Sequence, residues 1–215
     1  MMSGARVLVL AVVFMAWPAV LERFPQRWRP LMGAGTSTAL AGATGIPLGL
    51  RPPQLGAGLR LGGIVASAVV AAAVSASPAL PPVRASMRAR DIDLHPAVWL
   101  GLHIPVGTVW SEELAFRGVL QPLATEAFGR TAGRAVQAMA FGLAHIRPAR
   151  AAGDSMPGTV LVTGMFGWLL GWLRERSGSV VAPMLAHLAL NEAGAVATLY
   201  LGRSNVDLSR ESASN

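Results

Sequence analysis

The sequence predicts an all-α membrane protein, a polytopic transmembrane bundle of six to seven helices with an active site inside the bundle. Three observations lead there. Of 215 residues, 53% are hydrophobic and only 13% charged, with a mean hydropathy of +0.48. Such a chain cannot cover its own surface with polar groups in water. Its apolar residues also gather in runs near the length that crosses a bilayer. No segment alternates with a strand period, and no internal repeat is visible. Cysteine is absent, which excludes disulfides and thiolate metal sites.

The net charge of +7 and pI near 11.6 raise the question of nucleic acid. The distribution answers it. Every basic side chain is arginine, in short clusters such as Arg23, Arg27 and Arg29, Arg84, Arg88 and Arg90, or Arg147 and Arg150. Each cluster borders an apolar run, as in loops at a membrane surface. A nucleic-acid protein gathers its charge on one polar and aromatic patch, so no nucleic-acid partner is expected. The Ala, Gly, Pro and Arg richness points to a G+C-rich coding sequence and so to a bacterial plasma membrane.

The elements follow in order. "ARVLVLAVVFMAWPAVL", residues 5–21, reads as a retained first membrane helix rather than a signal peptide, because a small-x-small cleavage pattern is lacking. Residues 31–50 are apolar but rich in Gly, Ser and Thr, which suits a span held by close packing or a re-entrant segment. Residues 61–83 are long enough to cross, and "RASMRARDIDLHP" reads as a polar connector whose Pro96 opens the next helix. That helix, over 97–128, is long for one span. Residues 131–146 follow a Gly-Arg turn and end in "RPARAAGDSMPG", a loop by its Pro and Gly content. Residues 159–173 and 180–201 are the last two spans, before a polar tail. The arginine balance puts the 22–30 and 84–95 loops in the cytoplasm. By domains, 1–45 is an N-terminal membrane region, 46–204 the functional unit and 205–215 the tail.

Charge at membrane depth needs a partner or a wet cavity. In "SEELAFRGVL", Glu113 and Arg117 stand four apart with the acid first, the favourable order for a helical ion pair. Glu112 is turned ~100° away and is left over. A bland reading competes: Ser111 caps an interfacial helix whose dipole favours both glutamates. Two further patterns weigh against it. "FGLAH" sets Phe141 and His145 four apart, and "HLALN" sets His187 and Asn191 four apart. Three helices thus each direct acid, imidazole or amide groups from one face, which a bundle satisfies together only at a shared interior site. An acid, a nearby histidine and a donor pair are the parts of a hydrolytic centre. His95 and His103 are read as bystanders, and Trp99, Trp110, Trp168 and Trp172 as anchors or packing.

In this order "EELAFR", "FGLAH" and "HLALN" resemble the three motifs of the CAAX protease and bacteriocin-processing (CPBP, or Abi) family, which includes the type II CAAX prenyl endopeptidase. The match covers residues 112–191, with nothing diagnostic in the first 45. The resemblance implies an intramembrane glutamate endopeptidase acting on a peptide or lipidated peptide in the bilayer. It gives Glu112 the activation of water with help from His145, and His187 and Asn191 the oxyanion hole. Glu113, Arg117 and Phe141 would support the site. Family members have also been described as metalloproteases, and Glu112, His145 and His187 would be the zinc ligands. No cofactor is expected here, because no "HExxH" occurs and Asn is a better donor than a zinc ligand. The alternatives are a non-catalytic CPBP-fold binding or bacteriocin-immunity protein, and a small transporter, for which the expected inverted halves are not visible.

Overall fold

The computed structural model describes residues 2–79 and 94–213, with side chains over 2–75 and 94–200. Residues 84–93 of the expected polar connector lie outside the described residues, as do the last four of the 61–83 span. Among the described residues there is no strand and there are seven long helices, so the all-α class holds. They are α1 (Gly4–Leu21), α2 (Arg29–Thr44), α3 (Gln54–Ala79), α4 (96–128), α5 (Arg130–Ala144), α7 (Met156–Ser177) and α8 (Val181–Ala213). A short α6 (Ile146–Ala152) joins α5 to α7.

Among the described residues, three helices are long and apolar enough to cross a membrane: α1, α3 over Gln54–Ser75, and α7. Their outward faces carry large apolar side chains, such as Val9, Ile64, Leu161, Val162 and Met165, each about two thirds exposed. A soluble protein would leave so many contiguous apolar groups uncovered only at a partner surface. In lipid they are in their own solvent.

Around the site, α3 packs along α8, α5 along α7, and α2 against the first half of α4. The N-terminal helix is no appendage. Val7, Ala11 and Phe14 of α1 are buried in the same core as Phe116, Val119 and Leu120 of α4 and Phe141 of α5.

Three local details differ from the sequence reading. First, α4 is not an α-helix over most of its length: Trp99–Trp110 and Glu113–Leu120 are π-helical, with hydrogen bonds reaching five residues back. The sequence supplies a cause, since Pro105 cannot donate inside the helix and Ser111 Oγ donates to the Val106 carbonyl at 3.0 Å. Ser111 therefore lies within a continuous helix and caps nothing. Second, part of the expected 147–158 loop is α6, closed by Gly153 at φ 71°. Third, α8 continues to Ala213 through the polar tail, because no proline after Pro183 interrupts it.

The contact of α3 with α8 requires glycine at one position and not at its neighbour. A Cβ on Gly62 would lie 2.8 Å from Ala182 Cα, whereas one on Gly63 would meet nothing within 4 Å. Gly62→Ala is expected to lower stability by about 1–3 kcal/mol through overpacking. Gly63→Ala should be neutral or stabilising, since alanine is the better helix former. Thermal unfolding of the two variants in detergent measures the difference; equal midpoints would refute the close approach.

Candidate active site

The two adjacent glutamates have different surroundings. Glu113 and Arg117 are both fully buried and form an ion pair of 2.9 Å, Arg117 Nη1 donating to Glu113 Oε1. The same Oε1 lies 2.7 Å from His187 Nδ1 of α8. Glu113 thus ties the middle of α4 to the last helix. Glu112 turns the other way. Its side chain is 28% exposed, and its Oε2 has no hydrogen-bond partner.

His145 stands where α5 ends and α6 begins. A helix leaves its last four carbonyls without internal donors, and His145 Nδ1 takes one of them, the Phe141 oxygen, at 2.7 Å. Because a carbonyl only accepts, Nδ1 carries the hydrogen, which in the neutral ring leaves the lone pair on Nε2. The Phe141 ring is the hub of the site. Its centroid is 4.8 Å from that of His145 and 5.8 Å from that of His187, and Arg117 Cζ lies over its face at 4.1 Å. Such a face attracts a guanidinium most strongly where water is excluded.

Glu112 and His145 line one cavity of about 150 Å³, together with Phe14, Trp17, Pro18 and Leu21 of α1, Ser37 of α2, Gly107, Ser111, Ala115 and Phe116 of α4, Ala144, and Pro148. His187 and Asn191 are not in that lining. His187 stands behind Glu112, whose Oε2 is 3.9 Å from His187 Nε2. Asn191, one turn beyond His187, has a buried Nδ2 without a partner. The cavity thus joins two of the four sequence-predicted groups, and Glu112 connects them to His187. His103 is absent from the lining, and His95 Nδ1 accepts from the Ala97 N–H at 3.3 Å, at the start of α4.

The three side chains named for zinc are not gathered as a ligand set. Among the described residues no group of three His, Asp or Glu side chains is placed to hold a metal ion.

A polar layer behind Arg117 went unread in the sequence. Gly167 of α7 presents its carbonyl to Arg117 Nη2 at 3.4 Å and to Gln137 Nε2 at 2.9 Å. Gln121 Nε2 donates to the Gly171 carbonyl and to Glu175 Oε1, both at 3.0 Å, and Glu175 pairs with Arg134. Glycine matters at 171: a Cβ there would sit 2.6 Å from Gln137 Nε2. The signal was available, since Gln121 and Gln137 are polar residues inside apolar helices, which membrane proteins rarely keep without use.

Removing one partner of a buried pair strands the other, at a typical cost of about 3–5 kcal/mol. Arg117→Met should therefore lower the unfolding midpoint sharply, and adding Glu113→Leu should recover much of the loss. Arg147→Ala, which breaks the exposed Glu22–Arg147 pair, should cost under about 1 kcal/mol. A double variant no more stable than Arg117→Met would show that the charge pairing is not what matters.

Residues 94–193 match the family model described as type II CAAX prenyl endopeptidase Rce1-like. No curated protein and no solved structure matches the chain. The matched segment runs from the start of α4 to just past Asn191, and so contains Glu112, Glu113, Arg117, Phe141, His145 and His187. With helices fit to cross a bilayer, the protein is an integral membrane protein, and over residues 94–193 it carries an Rce1-like domain of the CAAX protease and bacteriocin-processing family.

Proposed function

We propose that the protein is an intramembrane endopeptidase that hydrolyses a peptide bond of a membrane-associated substrate with a water activated by Glu112. One observation carries this reading: Glu112, with a free carboxylate oxygen, and His145, with a free Nε2, line the same apolar-walled cavity. The lysine-free, arginine-rich composition favours a bacterial plasma membrane.

The water attacks the scissile carbonyl carbon as Glu112 takes one of its protons. His145 accepts a hydrogen bond from that water at Nε2, which holds the remaining lone pair toward the carbon. The new C–O bond places negative charge on the former carbonyl oxygen. Asn191 Nδ2, buried and unpartnered, is a donor of the kind that oxyanion needs. His187 donates Nδ1–H to Glu113, so it reaches the oxyanion only as an imidazolium, through Nε2–H. When the tetrahedral intermediate collapses, the C–N bond breaks and the Glu112 carboxyl returns its proton to the leaving amine. Glu113 and Arg117 never touch the substrate; they hold His187 in place.

Glu112→Gln keeps the shape of the side chain and removes the base. It should reduce cleavage of quenched fluorescent peptides by the detergent-purified protein to background, as should His145→Ala, with helical content unchanged by circular dichroism. Asn191→Ala should lower kcat about 10²–10³-fold, the usual loss for one oxyanion donor. Glu112→Gln protein that cleaves at the wild-type rate would remove the reading.

A further inference from the structure

The cavity beside Glu112 and His145 has a second half that residues 94–193 do not supply. Phe14, Trp17, Pro18 and Leu21 stand at i, i+3, i+4 and i+7, one face of α1. The helix is fixed from below. Val7, Ala11 and Phe14 are buried in the core, and Phe14 meets Phe116 edge-on with centroids 5.7 Å apart. Trp17 and Leu21 lie above that anchor and are half-buried over the cavity. They pack on it without belonging to the hydrogen-bonded network behind Glu112.

Size and chemistry restrict the occupant. About 150 Å³ is the volume at which an apolar cavity takes up a benzene-sized guest. It falls well under the roughly 300–1,000 Å³ of pockets for larger ligands. Apart from Glu112 and His145, the only polar side chains in the lining are Ser37 and Ser111, and Ser111 Oγ is spent on the Val106 carbonyl. Nothing there would pair with a buried charge. One extended residue spans only about 3.3–3.6 Å, so a group lodged in a cavity that Glu112 itself lines belongs to a residue next to the reacting carbonyl.

We propose that α1 is the specificity wall of the active site: the cavity takes one apolar side chain, between leucine and phenylalanine in size, of a residue flanking the scissile bond, and Trp17 and Leu21 set the upper limit. This inference rests on the peptidase reading of Glu112 and His145.

The test has two arms, both with the full-length protein in detergent. In the first, quenched peptides identical except for Gly, Ala, Leu, Phe or Trp at the flanking residue are cleaved by the wild type, Trp17→Ala, Leu21→Ala and Trp17→Phe. The wild type should prefer Leu and Phe over Gly and Trp about tenfold or more in kcat/KM, the scale of discrimination an apolar pocket provides. Trp17→Ala and Leu21→Ala should move the preference toward Trp. Trp17→Phe, which retains an aromatic ring, should change it less and shows whether the fold tolerates the position.

In the second arm, the same peptide with a leucine-sized diazirine at the flanking residue is photo-crosslinked to Glu112→Gln protein, and the adduct is mapped by mass spectrometry. Adducts should fall within residues 14–21. Cleavage with a flat side-chain preference, or adducts confined to other helices, would overturn the wall while leaving the peptidase. Adducts on α1 that Trp17→Ala diminishes, with no peptide cleaved by the wild type, would remove the peptidase reading and with it the specificity role of α1, leaving only a peptide-binding surface there. Neither cleavage nor α1 adducts would overturn both.

Discussion

A guanidinium and a carboxylate with no exposed surface must neutralise one another, and the Glu113–Arg117 pair imposes that condition on the whole bundle. Taking two charges out of water costs several kcal/mol each, so the pair is not itself a source of stability. Its effect is on geometry. Arg117 still has donors to satisfy, and the Gly167 carbonyl and the face of Phe141 supply partners from α7 and α5. Glu113 still has acceptor capacity, and His187 takes it from α8. Four helices are thereby registered on one buried ion pair. A helix that slid by a residue would strand a charge in an apolar interior.

The same condition frees Glu112. Two neighbouring carboxylates would repel each other if both turned into the core, and only one guanidinium is there to receive them. Adjacent positions on a helix differ by ~100°, which points the two carboxylates differently. One is consumed structurally, and the other lines the cavity while its buried Oε2 faces His187 without a hydrogen bond. The adjacency of the two glutamates therefore carries a division of labour: the bracing acid holds His187, and His187 approaches the free acid from behind, at 3.9 Å. On the proposed mechanism, a single glutamate at either position would supply the brace or the base, but not both.

What was legible in the sequence was whatever repeats with a side-chain period or violates the apolar background. Helices α1, α3, α5, α7 and α8 show as apolar runs, and the four-residue spacing of Glu113 and Arg117 marks their ion pair. The π form of α4 was not legible, because it is a matter of which carbonyl each N–H reaches, and the pattern of apolar residues hardly changes with it. Pro105 and Ser111 were its only hints. The Gln121 and Gln137 layer was legible in principle but lacks a charge to draw the eye. The part of α1 in the cavity was hidden for another reason: Trp17 and Leu21 look like any lipid-facing side chains until tertiary packing sets them opposite Glu112.

That last point bears on how such a site can be both fixed and adaptable. Behind Glu112, the Glu113–Arg117 pair and His187 are locked to one another through buried hydrogen bonds, where replacing any one member leaves a polar partner stranded. The facing wall is held only by apolar contact. Exchanging Trp17 or Leu21 for another apolar side chain changes the cavity volume but strands no donor or acceptor, so its cost stays within ordinary repacking. On the proposed reading of α1, substrate preference can shift there without disturbing the ion pair that orders the bundle. The two halves answer to different physics: electrostatic satisfaction fixes what the site does, and the shape of an apolar surface decides what it accepts.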